Sequence, residues 1–312
     1  MSPKKILPIA LAASLALSAA VWSQMANMPG MSNAPAAGTS SAKLDGAAIE
    51  KLTGLKGAQD AKENVFKVSY PRSDLHVVSQ GVTITPPMGL TCWVAFTPMG
   101  DHAMCMGDTV LTEDQVAPVM SAALDNGLEV TALHNHFFYD NPKVYFMHIG
   151  GMGKTETLAT AVGKVYDTLK KTAADKPSAV NADIDPAKTS LDPKKINDIF
   201  GTSAALSSGV LKLSFAKPTS MAGTPIGNAM GANTWAAFVG SDDKAAVMGD
   251  FATTESELQN VLKTLRKHNI SIVAIHNHME GESPRIVFLH YWAIGKTTDL
   301  AKGVKAALDT QK

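Results

Sequence analysis

Several things are scarce in this 312-residue chain, and each scarcity narrows the reading. Only two cysteines are present, Cys92 and Cys105. No paired Cys-x-x-Cys zinc motif can be built from them, and at most one disulfide. Excess charge of either sign is missing: 28 basic residues balance 28 acidic ones, so nothing points to nucleic acid. A phosphate loop is also missing. Gly153-Lys154-Thr155 and Gly295-Lys296-Thr297 have the ending of one, but the residue where the earlier glycine should stand is His148 in the first case. These triplets read as strand-to-helix turns with Thr as the cap. Long apolar runs are confined to Ile6–Val21, preceded by Lys4 and Lys5 and containing Ser18-Ala19-Ala20. That pattern predicts a signal peptide over 1–20, hence export to the periplasm or beyond. No cysteine follows the run, so no lipid attachment and no stable membrane anchor after processing are expected.

Histidine is what the chain uses instead. Of nine histidines, six fall in two trios, His134, His136, His148 and His276, His278, His290, related by an offset of 142 residues. From Trp93–Thr155 to Trp235–Thr297 the two copies align without a gap, with 21 of 63 positions identical. The shared residues include Met106-Gly107-Asp108 and Met248-Gly249-Asp250, Thr112-Glu113 and Thr254-Glu255, and Pro142 and Pro284. Upstream the match continues with slipped offsets, Val65–Ser69 against Val210–Ser214 and Leu44-Asp45 with Gly54 against Leu191-Asp192 with Gly201. A period this long fits a duplicated domain, not a solenoid.

The pattern predicts an α+β fold: two tandem repeats, each an antiparallel sheet with packed helices. The expected boundaries are a flexible leader over 21–43, a first repeat domain over 44–172, a linker over 173–189 and a second repeat domain over 190–312. Asp45 and Asp192 should cap short helices that Gly54 and Gly201 end. Strands are expected near 64–70, 75–85, 91–97 and 102–107. A helix should run from the Thr112 capping box to about Asn126. The apolar stretch Leu128–Phe138 and the segment Val144–His148 read as strands, the second stopped by Gly150–Gly153, with a helix from about Thr155 to Lys170. A turn over Phe96–Asp101 would set Cys92 opposite Cys105 and permit a disulfide, with two separate buried thiols as the alternative.

His134 and His136 lie two apart on a strand and should share a face; a hairpin centred on Asn141 would place His148 opposite His134. The same holds for His276, His278 and His290 about Ser283. Three converging imidazoles suit a transition metal, zinc first, with copper or iron also accepting imidazole. Histidines satisfied by hydrogen bonds within a sheet are the structural alternative. Asp108 and Asp250 are candidate fourth ligands or general bases, against an ordinary role at a strand end. Glu113 and Glu255 suit the helix dipole, and Asn135 and Asn277 should point to the other face. Met99, His102, Met104, Cys105 and Met106 cluster around the first hairpin and hint at copper, although methionine is also common core filler.

Ala132–Phe138, followed by Pro142 and Phe146–Gly151, resembles the LppY/LpqO family of exported bacterial proteins from about residue 45 onward. The resemblance implies export and fold, and no activity. Three functions remain open. The first is an exported metal-binding protein that captures metal, or a small molecule held through metal. The others are a metal-dependent hydrolase of the cell envelope and a non-metal structural or carbohydrate-binding module.

Overall fold

The computed structural model describes residues 44–172, 179 and 181–311. The expected signal peptide and leader lie outside the described residues, as do 173–178 and 180 of the expected linker.

In the first half, helix α1 (Gly46–Thr53) is followed by β1 (Lys56–Asp60), β2 (Val65–Pro71) and the short pair β3 (Val77–Ser79) and β4 (Val82–Ile84). Then come β5 (Thr91–Met99), β6 (His102–Thr112), α2 (Glu113–Asp125), β7 (Glu129–His134), β8 (Asp140–Asn141), β9 (Val144–Gly153) and α3 (Thr155–Lys171). The second half repeats the series: α4 (Pro193–Phe200), β10 (Leu206–Ser207), β11 (Val210–Ala216), β12 (Thr219–Met221), β13 (Thr224–Ile226), β14 (Asn233–Gly240) and β15 (Ala245–Thr254). It ends with α5 (Glu255–Lys267), β16 (Ser271–His276), β17 (Glu282–Ser283), β18 (Ile286–Gly295) and α6 (Thr297–Leu308). The fold is α+β, built from two like halves.

Local chemistry explains the helix ends. The Asp45 carboxylate accepts the Ala48 N–H at 3.0 Å, and Gly54 closes α1 at φ +67°; Asp192 and Gly201 do the same for α4. A left-handed residue there satisfies the last carbonyls without a Cβ clash. At the starts of α2 and α5, Gln115 and Glu257 reach back to the N–H groups of Thr112 and Thr254 at 3.2 and 2.9 Å. Lys154, not Thr155, occupies the N-cap of α3, and its side chain makes no capping bond.

Twelve strands form one antiparallel sheet in the order β1-β2-β5-β6-β9-β7-β16-β18-β15-β14-β11-β10. The two halves join where Leu133 of β7 pairs with Ile275 of β16. These residues are equivalent in the repeat, so the join has local two-fold symmetry. Helices α2 and α5, also equivalent, pack across it. The main hydrophobic core draws Val119, Met120 and Leu124 of α2 and Val261, Leu262 and Leu265 of α5 into a single cluster. Strand alternation separates the two faces. A Cβ added at Gly151 of β9 would meet Leu158 of α3, so Gly151, Ile149 and Met147 face the helices and Gly150, His148 and Phe146 face away.

Three details differ from the sequence reading. Strand β9 does not stop at Gly150 but runs through Gly153. Strand β7 ends at His134 instead of reaching Phe138. The β5–β6 turn is tighter than expected: Met99 pairs with His102, with Gly100 at φ +65° between the strands. That places Cys105 opposite Phe96, while Cys92 faces Tyr70 across the β2–β5 ladder. Both thiols are free and buried, and burial pushes each up to about 12. The expected Cys92–Cys105 disulfide is not formed, because a two-residue glycine turn shifts the register by four.

Candidate metal centre

The site is assembled from one row of the sheet. Trp93 pairs with Asp108, Asp108 with His148, and His148 with Ala132. The second half repeats the row as Trp235, Asp250, His290 and Ala274. Register therefore sets Asp108 and His148 side by side on the helix-free face, and Asp250 and His290 likewise. Met-Gly-Asp is retained in both copies for a steric reason. A Cβ at Gly107 would collide with the Trp93 carbonyl oxygen, and one at Gly249 with the Trp235 oxygen and the Tyr291 hydroxyl. Glycine lets the neighbouring strand close in, and the next residue delivers its carboxylate to the outer face.

His134 lies two positions along, opposite Phe146, and not opposite His148 as the simple hairpin required. A bulge in β7 between Val130 and Ala132 helps set the actual register. His136 is past the strand end, so its orientation does not come from strand alternation. Its ring instead lies flat on Phe146, with centroids 3.4 Å apart and planes 3° from parallel. His278 lies on Phe288 in the same way, at 3.5 Å and 10°. Phe146 and Phe288 were readable only as members of the identical positions; nothing in the sequence showed that they support a histidine.

The rings still gather near one another, but among the described residues only the second half brings three ligand-bearing side chains together. His134 Nε2 and His148 Nε2 are 2.9 Å apart, slightly closer than two nitrogens around a tetrahedral zinc, roughly 3.3 Å. His134 and His136 stack with centroids 5.2 Å apart. In the second half, ligand atoms of Asp250, His276 and His278 lie within 4.8 Å of one another. His290 Nδ1 is 3.7 Å from Asp250 Oδ1, and His278 Nε2 is 3.5 Å from Asp250 Oδ2. The other three histidines lie elsewhere: His102 beside Asp101 at a hairpin turn, His268 at the end of α5, and exposed His76 ahead of β3.

Electrostatics follow from burial. Asp108 and Asp250 are only 8% and 3% exposed. Burial raises the Asp108 carboxyl, against the pull of His148, His136 and His134 around it. It raises Asp250 to about 6, opposed by His290 and the Leu289 backbone. Burial also lowers His136, His276 and His278, with neighbouring histidines adding to it in each case. The Oδ1 atoms of both aspartates and the Nε2 of His276 are buried with no hydrogen-bond partner. A carboxylate oxygen and an imidazole nitrogen left free beside each other are donors that suit a cation. The histidines themselves are half-buried or exposed, so the cluster opens to solvent.

A cavity of about 420 Å³ lies at the junction of the halves on the α5 side, lined by Asn277, Arg285, Glu255, Gln259 and Glu129 among others, and His276 alone of the second cluster borders it. The equivalent cavity on the other side of the local two-fold, about 250 Å³, is lined by Glu113, Tyr145, Ser271 and Trp292 and lacks a histidine.

Fold and cluster together define a class: tandem α+β halves sharing one sheet, with a histidine–aspartate cluster on its open face. Residues 47–168 and 194–310 match the family described as Domain of Unknown Function (DUF1259), and the chain belongs to that family. No curated protein matches the chain. Among solved structures, the trimeric bacterial microcompartment shell protein PduB is similar at 11% identity over 81% of this chain and 89% of that one, with a TM-score of 0.18. An aspartate kinase from Synechocystis is similar at 10% identity over 70% of this chain and 40% of that one, with a TM-score of 0.16. Neither score carries an argument about fold or function.

Proposed function

We propose that this is an exported metal-binding protein. Each half would hold a divalent transition ion, zinc first, through His134, His136, His148 and Asp108 or through His276, His278, His290 and Asp250. The observation that carries this reading is the second cluster. Ligand atoms of the buried Asp250 and of His276 and His278 lie within 4.8 Å of one another, and Asp250 Oδ1 and His276 Nε2 make no hydrogen bond. Burying a carboxylate without a counter-charge is costly, and a cation removes the cost. The resemblance to the LppY/LpqO family and the N-terminal pattern support an exported setting.

A metal-dependent hydrolase is the second reading, favoured by the cavity beside His276. It offers Arg285, paired with Glu255 at 3.2 Å, for an anionic small molecule. In this reading Asp250 would serve as the base that takes a proton from a nucleophilic water. The protein then turns over a substrate, whereas a capture protein only releases its ion.

Elemental analysis of protein purified without a histidine tag tests the metal reading. Up to two ions per chain are expected, and His134→Ala/His136→Ala should remove about half. Affinity should fall on acidification below about pH 6.5, since only neutral imidazole ligates and burial holds His136, His276 and His278 under the ordinary imidazole value. Wild-type protein that binds zinc, copper and iron no better than a variant lacking both trios overturns the reading and leaves a structural or carbohydrate-binding role.

A further inference from the structure

The outer face of the first half carries a feature that the histidine cluster does not use. Along β6, Ala103, Cys105 and Gly107 are buried, whereas His102, Met104 and Met106 turn outward with Asp108. Met104 pairs directly with Met152 of β9, and Met106 with Gly150. On the other side Met104 pairs with Thr97 and His102 with Met99. Four thioethers and an imidazole thus share one face of three adjacent strands. Met99, Met106 and Met152 are 44%, 57% and 69% exposed. Directly opposed side chains have Cβ atoms roughly 4.5–5.5 Å apart, and methionine has three rotatable bonds with which to bring its sulfur onto a common point.

Packing does not explain this strip. In the second half the equivalent positions are Ser241, Lys244, Ala246, Met248 and Ile294, so the fold tolerates replacement of all but Met106, which both halves keep. There, residues 181–186 border a cavity of about 700 Å³ over that face, with Ala246, Met248 and Ile294 in its wall. Exposed large apolar side chains gathered in one place call for an occupant. The choice of methionine over leucine or isoleucine indicates which kind, because neutral thioethers are poor ligands for zinc and good ones for soft monovalent ions. Cys105 is not part of the group: its thiol faces the core.

We propose that Met104, Met106 and Met152, with Met99 and His102 at the turn end, form a second cation site for a soft monovalent ion of the Cu(I) or Ag(I) type, separate from the histidine–aspartate clusters. The His102 Nδ1 is engaged by Asp101 at 2.8 Å, which leaves Nε2 to ligate. The proposal does not depend on the histidine clusters binding metal.

Silver(I) is a redox-silent probe. The full chain, titrated in chloride-free buffer, should bind Ag(I) at one site that Met104→Leu/Met106→Leu/Met152→Leu loses, with affinity there down by at least about 100-fold. Leucine keeps the apolar area and nearly the volume, so a strip that serves only as a protein-docking face would leave the titration unchanged, and that result overturns the proposal. The other methionines, Met25, Met28 and Met31 included, are common to both proteins and cancel in the comparison. In wild-type protein labelled with methyl-13C methionine, the resonances of Met104, Met106 and Met152 should move on adding Ag(I). Resonances that stay fixed also overturn it. The variant His134→Ala/His136→Ala should keep the silver site. Should the triple variant not fold, Met152→Leu alone, at the most exposed position of the three, should weaken Ag(I) binding at least tenfold; an unchanged affinity overturns the proposal.

Discussion

At the scale of single residues, the carboxylates of Asp108 and Asp250 cost stability and offer chemistry. An aspartate in an unfolded chain ionises near 3.9, while Asp250 in the fold keeps its proton to about 6. Between those values the folded state binds the extra proton, so the contribution of Asp250 to stability falls as pH rises through that window and is unfavourable at neutrality. Asp250→Asn should therefore stabilise the metal-free protein at pH 7.5 by about 1–3 kcal/mol, with the advantage vanishing below pH 4. His276 and His278 shift in the opposite sense, and His278 lies 3.5 Å from the carboxylate, so the difference between the two proteins reports Asp250 together with the histidines it faces. Urea denaturation across pH 4–8 measures it; a pH-independent difference contradicts the argument. The same variant should bind metal at least tenfold more weakly. Its two effects then have opposite signs, which a general loss of structure does not produce.

At the scale of elements, the halves are alike in plan and individual in chemistry. Gln259 of α5 donates to the Val130 carbonyl and accepts from the Val130 N–H, both at 3.0 Å. Val130 borders the bulge in β7, where the ladder leaves backbone groups unpaired. A side-chain amide from the other half completes them. The residue equivalent to Gln259 is Ala117, so the clamp exists on one side only. Gln259→Leu should cost about 1–3 kcal/mol, the penalty for stranding buried backbone groups. Hydrogen exchange at the Val130 amide should quicken more than at its neighbours in β9; equal protection in both proteins would count against the clamp. A second contrast is the fully buried Arg72, which bonds Asp74, Gln115 and the Val110 carbonyl. The second half uses Lys217 on Glu257 at 2.7 Å for the corresponding link. The changes are paired: a neutral amide accompanies arginine and a carboxylate accompanies lysine.

Taken as a whole, the two halves share one twelve-stranded sheet and one main core, and each half adds a small three-stranded sheet of its own. The join is isologous, since equivalent residues Leu133 and Ile275 meet. A single half would expose β7 as an edge, with Leu133 and the α2 surface uncovered. Residues 44–172 expressed alone should therefore self-associate, reproducing the join with a second copy. Analytical ultracentrifugation of the fragment should give a dimer at micromolar concentration. A stable, well-folded monomer would show that each half is complete without its neighbour. No helix among the described residues is long and apolar enough to cross a membrane.

The duplication, the fold class, the caps of α1, α2, α4 and α5 and the residues proposed for the cluster were legible in the sequence; the Thr155 and Thr297 caps were not, since Lys154 and Lys296 hold those positions. Each is written in local chemistry: an Asp before a helix and a Gly after it, period-two alternation, and identical letters at a fixed offset. Tertiary structure decided the rest. The two-residue turn at Gly100 fixed a β5–β6 register that separates Cys92 from Cys105, and the β6–β9 ladder aligned Asp108 with His148. The end of β7 at His134 handed the orientation of His136 to Phe146, a ring ten residues further along the chain. The pairing of Leu133 with Ile275 merged two repeats into one sheet. Register, loop packing and sheet joining depend on which distant backbone meets which, and a linear pattern of residues carries the local preference of each strand but not the partner it finds.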